Sequence, residues 1–356
     1  MKGKLAIRYA VSMQLVFLGL GYANNINQGG MNGLIRSASA VVYEQGRLNV
    51  GASLKHDWDR GYLKGPSGLN KVMSSDSTLE EAETPLLIST NIFAGLAVLP
   101  FLEVGINVPY YHDKTGFGKT ASGIGDLEVG LKLQNAFQKE DAPVQLAYFV
   151  RLILPTGKEG VGYFPRHSYY IDGAHLQRSE TGGDNFYTND HFAPAGMVMF
   201  TVFLNQISNI PLVMHVNIDG RVRVHPKRDL AEVAYMGFEF THWKNVTPFM
   251  EMSMENRKNF FFNKTWDFKN LFKDPVWLTP GLKLSLANNL YAVFAFDLGL
   301  IRDETDSRTT YDNSGYKYSV GPMPRYGYQI TFGWNGMFGS GNKKNDAKDD
   351  GNAACF

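Results

Sequence analysis

The sequence predicts an all-β protein, a transmembrane up-and-down antiparallel β-barrel of about 12 strands, alternatively about 14. Three observations predict it. Apolar residues recur with a period of two in segment after segment, which is the period of a strand. The connections alternate between short turns and long polar loops, as in a barrel with turns at one rim and loops at the other. The N-terminus has the pattern of a secretory signal, yet no later segment reaches the roughly 18 consecutive apolar residues of a transmembrane helix. Export without a helix leaves the periplasm, the outer membrane or secretion. Strands that are apolar on one face and charged on the other select the outer membrane.

The clearest pattern runs from Val276 to Arg302. Val276, Leu278, Pro280, Leu282, Leu284 and Leu286 alternate with Trp277, Thr279, Gly281, Lys283, Ser285 and Ala287. After Asn288 and Asn289, Leu290, Ala292, Phe294, Phe296, Leu298 and Leu300 oppose Tyr291, Val293, Ala295, Asp297 and Gly299. A soluble sandwich also alternates, but it explains neither the two loop lengths nor the charged inner faces. Lipid on one side and a polar lumen on the other explain both.

Composition agrees. The 356 residues include 37 Gly, 24 Phe and 18 Tyr, and the net charge of +1 argues against a nucleic-acid partner. Mean hydropathy is slightly negative, as expected when every second residue of a strand is polar. The single cysteine, Cys355, excludes a disulfide framework, a Cys-rich zinc site and a Cys nucleophile.

Taken in order, Lys2, Lys4 and Arg8 form a basic start, Ala10 to Leu20 an apolar core, and Gly21-Tyr22-Ala23 a cleavage site. Residues 1–23 therefore read as a signal peptide, 24–338 as the barrel and 339–356 as a disordered periplasmic tail. Gly33 to Glu44 alternates weakly and belongs at the rim or in the lumen, joining the wall only if the strand count is about 14. Wall strands are expected at Arg47–Lys55, Pro85–Leu99, Phe101–Tyr111, Asp126–Gln134 and Val144–Leu154. They continue at His191–Asn205, Val213–Val224, Leu230–Trp243, Thr247–Arg257, the pair described above, and Arg325–Trp334. Turns near 45, 100, 140, 208, 245 and 288 are short; most of the others are long.

The closing segment Arg325-Tyr326-Gly327-Tyr328-Gln329-Ile330-Thr331-Phe332 resembles the outer-membrane β-signal read by the barrel-assembly machinery. Gly327, Ile330 and Phe332 hold its key positions. That resemblance implies two partners, the assembly machinery and outer-membrane lipid. The Asp/Asn/Gly/Lys-rich tail is similar to the linker of OmpA-family proteins, although no peptidoglycan-binding domain follows it. Gly33-Leu34-Ile35, Gly46 and Leu48-Asn49-Val50-Gly51 resemble the opening of transporter-type barrels. Gly123-Ile124-Gly125-Asp126 followed by Gly130-Leu131-Lys132 resembles a segment of the barrels associated with phenol meta-degradation, which are related in style to FadL-like channels. The resemblance implies passive passage of small, including apolar, solutes.

The lumen-facing charges are the candidate functional residues: Lys132, Arg151, His215, Asp219, Arg221, Arg223, Glu251, Lys283 and Asp297, with Lys55, Glu103, Asp126, Glu128, Glu255 and Arg257 beside them. Two readings stand. They are either a salt-bridged network filling a narrow barrel or a pore lining that sets ion selectivity. Arg221 and Arg223 beside His215 suggest an anion-selective constriction. No cofactor and no metal are expected, because no HxxxH or HExxH spacing occurs. No serine has the setting of a nucleophile elbow, so the chain does not read as an enzyme. The rival to a channel is a structural or adhesive surface barrel.

Overall fold

The structure is a computed structural model that describes residues 31–58, 86–114, 120–139, 142–159, 161, 187–188, 192–223, 229–256, 276–301, 309–311, 317–319 and 326–338. Of Arg221, Arg223 and Glu255 only the backbone is described. The expected signal peptide and tail lie outside the described residues, as does Arg257.

Strands form where the period of two was strongest. The first half supplies β1 (Arg47–Trp58), β2 (Leu86–Leu99), β3 (Leu102–Lys114), β4 (Thr120–Ile124), β5 (Leu127–Gln134), β6 (Val144–Leu154) and β7 (Ala193–Phe203). A one-turn helix α1 (Leu204–Ser208) leads into β8 (Leu212–Arg223), β9 (Asp229–Phe240), β10 (Val246–Asn256), β11 (Val276–Ser285) and β12 (Leu290–Ile301). A small separate hairpin, β13 (Thr309–Tyr311) and β14 (Lys317–Ser319), precedes β15 (Tyr326–Met337).

Each wall strand pairs antiparallel with its neighbours, and β15 lies between β12 and β1. β1 and β15 match over their whole length, from Arg47 against Met337 to Trp58 against Tyr326. With β1 also paired to β2, the sheet closes on itself and has no free edge. β4 and β5 both pair with β3 and make one wall strand interrupted at Gly125 and Asp126. The result is a closed barrel of twelve antiparallel wall strands. The count of fourteen does not hold, because residues 31–44 stay out of the wall.

The structure lengthens several expected strands. β1 runs on to Trp58 and β15 to Met337 although their alternation fades there, because the two extend each other as partners. The Gly-rich stretch after β3 contains β4, which has little apolar pattern and is held by pairing with Tyr110–Lys114. The short turns include Asn209, Asn288 and Asn289 at φ of 59°, 59° and 63°. Asparagine is one of the few non-glycine residues that tolerate that region.

The two wall faces differ as the pattern requires. Leu131, Val150, Ile218, Phe294 and Phe332 are exposed outward. The residues between them, Lys132, Arg151, Asp219, Val293 and Thr331, are buried inside. The inner face also uses glycine to make room: the ring of Phe149 covers Gly130 and the ring of Phe249 covers Gly281, where a Cβ would collide.

Candidate functional site in the barrel lumen

Residues 31–44 fill the lumen. Met31, Leu34, Ile35, Ser37, Ala38, Ala40 and Tyr43 are all buried, enclosed by the wall. The segment folds on itself first. Leu34 N–H donates to the Ser37 carbonyl at 2.8 Å, Ser39 N–H donates to the Asn32 carbonyl at 2.8 Å, and Gly33 bridges Ala38. Gly33 sits at φ +155°, and a Cβ there would run into the Ser37 carbonyl oxygen and the Ala38 backbone. Only glycine closes this loop. The small residues Ser37-Ala38-Ser39-Ala40 let its backbone approach the wall closely.

The wall holds this segment by side chains directed at its backbone. Glu251 accepts from the N–H of Ser37 at 2.7 Å and of Arg36 at 3.1 Å. Asn217 accepts from Ala38 N–H at 2.7 Å and donates to the Ala38 carbonyl at 2.9 Å. Thr201 Oγ1 accepts from Ala40 N–H at 2.8 Å, and Gln134 Oε1 from Val42 N–H at 2.9 Å. Lys132 Nζ donates to the carbonyls of Ser39 and Val41 at 3.4 and 3.0 Å, and Lys283 Nζ to that of Gly33 at 3.0 Å. These groups come from β5, β7, β8, β10 and β11, so the segment is gripped from round the barrel. Its polar backbone, which would otherwise lose water without compensation, is satisfied.

The charges form linked groups rather than an open lining. Lys132 is completely buried and pairs with the equally buried Glu103 at 2.5 Å. Arg151 pairs with Asp219 and, at 3.5 Å, with Glu128. Lys283 meets Glu239 at 3.1 Å, and Glu239 meets His215 Nε2 at 2.8 Å. His215 Nδ1 lies 3.0 Å from Thr201 Oγ1. Because Thr201 already accepts from Ala40, a chain of polar contacts runs from Gly33 through Lys283, Glu239, His215 and Thr201 back to Ala40.

The fourth group holds a side chain of the segment itself. Arg36 reaches Asp297 at 2.5 Å and donates to Thr279 Oγ1 at 2.7 Å and Ser253 Oγ at 3.5 Å. Thr279 Oγ1–H in turn donates to Asp297 at 2.6 Å, and the guanidinium lies 6.0 Å from the centre of the Trp277 ring. Lys55 shares Asp297 at 3.1 Å and Asp57 at 2.9 Å. Asp57 and Asp297 thus share one wall ammonium, Lys55, and the guanidinium of Arg36 supplies the second cation.

Seven of the nine candidate residues therefore have inward side chains with named partners: Lys132, Arg151, His215, Asp219, Glu251, Lys283 and Asp297. Arg221 and Arg223 lie on β8, but their side chains are outside the described residues. In the closing strand, Ile330 and Phe332 share the outward-facing alternation of β15. Gly327 faces inward, where a Cβ would overlap the Asp57 carboxylate. Sequence reasoning missed Arg36, Ser37, Thr201, Asn217 and Thr279. Their types are ordinary for a barrel, and only the path of the N-terminal segment brings them together. Among the described residues no group of three or more His, Cys, Asp or Glu is placed to hold a metal.

No family model matches the sequence, and no curated protein matches it. Solved structures do. A crystal structure of an outer membrane channel from Pseudomonas putida F1 aligns with a TM-score of 0.53 at 8% identity, covering 85% of this chain and 100% of that one. What the two share is the fold. Lower-scoring alignments include a TodX monoaromatic hydrocarbon channel mutant (TM-score 0.43, 9% identity, 90% and 98% covered) and the NanC porin (0.42, 7%, 81% and 98%).

Proposed function

We propose that this chain is an outer-membrane channel for small solutes whose own N-terminal segment, residues 31–44, keeps the lumen shut. The observation that carries this reading is the grip on that segment. It is held through side chains round the barrel and not by incorporation into the sheet, so it can leave without breaking a wall hydrogen-bond ladder. The resemblance of Gly123–Lys132 to the barrels associated with phenol meta-degradation points the same way. In this reading lipid covers the outward apolar band, and the assembly machinery takes the chain up through β15.

The same filled lumen favours one other role, a structural surface barrel in which the segment never leaves. Single-channel recording in planar bilayers separates the two. Full-length protein is expected to be largely silent with rare openings. Arg36→Ala and Glu251→Gln, which weaken the grip while leaving the wall strands paired, are expected to open often. A variant that is folded, by its resistance to unfolding in cold detergent, yet remains silent with the grip weakened would refute the channel.

A further inference from the structure

The way the lumen holds its N-terminal segment is the way a receptor holds a looped peptide. Most of the polar contacts described above go to backbone N–H and C=O groups, which every peptide carries. Side-chain reading is concentrated at one residue. The Arg36 guanidinium enters a pocket made by Asp297, Thr279, Ser253 and the Trp277 ring. A guanidinium over an aromatic face, with a carboxylate and hydroxyls as hydrogen-bond acceptors, is recognition that an ammonium does not reproduce. The residues before it, Leu34 and Ile35, pack in a cluster with Phe93, Phe249, Tyr291 and Val293. Glu251 then takes the two N–H groups at Arg36 and Ser37.

We infer that this inner surface is a binding site for short peptides that adopt a tight loop in which an apolar residue precedes an arginine, and that residues 34–38 occupy it as a stand-in for such a cargo. The inference rests on the channel reading for its physiological sense and names the cargo of the same site. When the segment leaves, Asp57 and Asp297 are left with Lys55 as their one neighbouring cation, and Glu251 loses the two N–H groups that it accepts from. That surplus of negative charge attracts a guanidinium-bearing solute and repels anions.

The test uses the full chain carrying Arg36→Ala, which empties the guanidinium pocket and leaves the wall intact. The probe is a fluorescently labelled pentapeptide of the sequence Leu-Ile-Arg-Ser-Ala, blocked at both ends, with anisotropy as the readout. Binding is expected to Arg36→Ala and to be weaker by about tenfold or more for the peptide with neutral citrulline in place of arginine, the size of one lost charge-assisted hydrogen bond. Adding Asp297→Asn to the Arg36→Ala protein is expected to abolish that preference. Equal binding of the arginine and citrulline peptides would overturn the inference. So would arginine amide competing as well as the pentapeptide, because the backbone contacts would then count for nothing. Peptide binding at equilibrium needs no conductance. A silent barrel that binds the peptide sinks the channel and keeps the site, whereas a conducting barrel indifferent to it does the reverse.

Discussion

Replacing Lys132 by Met tests the closed lumen most directly. The ammonium sits 2.5 Å from Glu103, with both side chains fully enclosed, and it also donates to the Ser39 and Val41 carbonyls. Methionine keeps the apolar stem as far as Cε, lacks the terminal nitrogen and so removes every one of those contacts. The Glu103 carboxylate, left with the 3.3 Å contact from Asn32 N–H, would be a buried charge without its cation. Breaking one partner out of a buried pair costs about 3–5 kcal/mol. Two further hydrogen bonds add about 1 kcal/mol each if water does not replace them. A reversible urea titration of protein refolded into lipid vesicles, followed by tryptophan fluorescence, measures the loss. The double variant Lys132→Met with Glu103→Gln separates the causes. Removing the orphaned charge is expected to restore part of the loss, with a coupling energy of up to about 3 kcal/mol. A loss below about 1 kcal/mol for Lys132→Met would match the small worth of solvated surface pairs. It would mean that the pair stands in water and that residues 31–44 do not seal it.

Other expectations follow from the same geometry. Leu131→Arg and Phe294→Arg, on the outward face, are expected to lower stability by roughly 2–4 kcal/mol if near the bilayer midplane, read by the same titration; no effect at either position would refute the lipid-facing assignment. Gly281→Val should force the Phe249 ring aside and cost about 1–3 kcal/mol by overpacking, while leaving the fold recognisable by circular dichroism. Gly33→Ala should prevent the N-terminal loop from closing, and is expected to raise channel open time in bilayers with little change in the urea midpoint of the wall. Single-channel reversal potentials of the Arg36→Ala variant in a salt gradient are expected to show cation preference; anion preference would point instead to Arg221 and Arg223.

How much of this was legible in the sequence depends on the range of the interaction. Lipid on one side and lumen on the other impose a period of two that is written residue by residue. The alternation in Val276–Leu286 and Leu290–Leu300 therefore located β11 and β12 closely, short turns against long loops indicated an up-and-down barrel, and counting its strands left about twelve with fourteen as the alternative. The closing of β15 on β1 could be expected from the apolar residues at alternate positions of the last strand. What the sequence could not show is which inward residues meet. Arg36 and Asp297 are 261 positions apart, and Ala38 and Asn217 are 179 apart. Such pairs follow from the register and closure of the whole barrel, not from any local pattern. Gly33–Glu44 could be placed only at the rim or in the lumen from its weak alternation, and which wall groups hold it there was not legible, because a segment held by foreign side chains needs no periodicity of its own. The sequence alone determined that a closed wall would form, since each strand carries its own lipid-facing signal. Only the tertiary structure decided what the wall encloses, because the lumen charges and the segment they hold meet only once the barrel has closed.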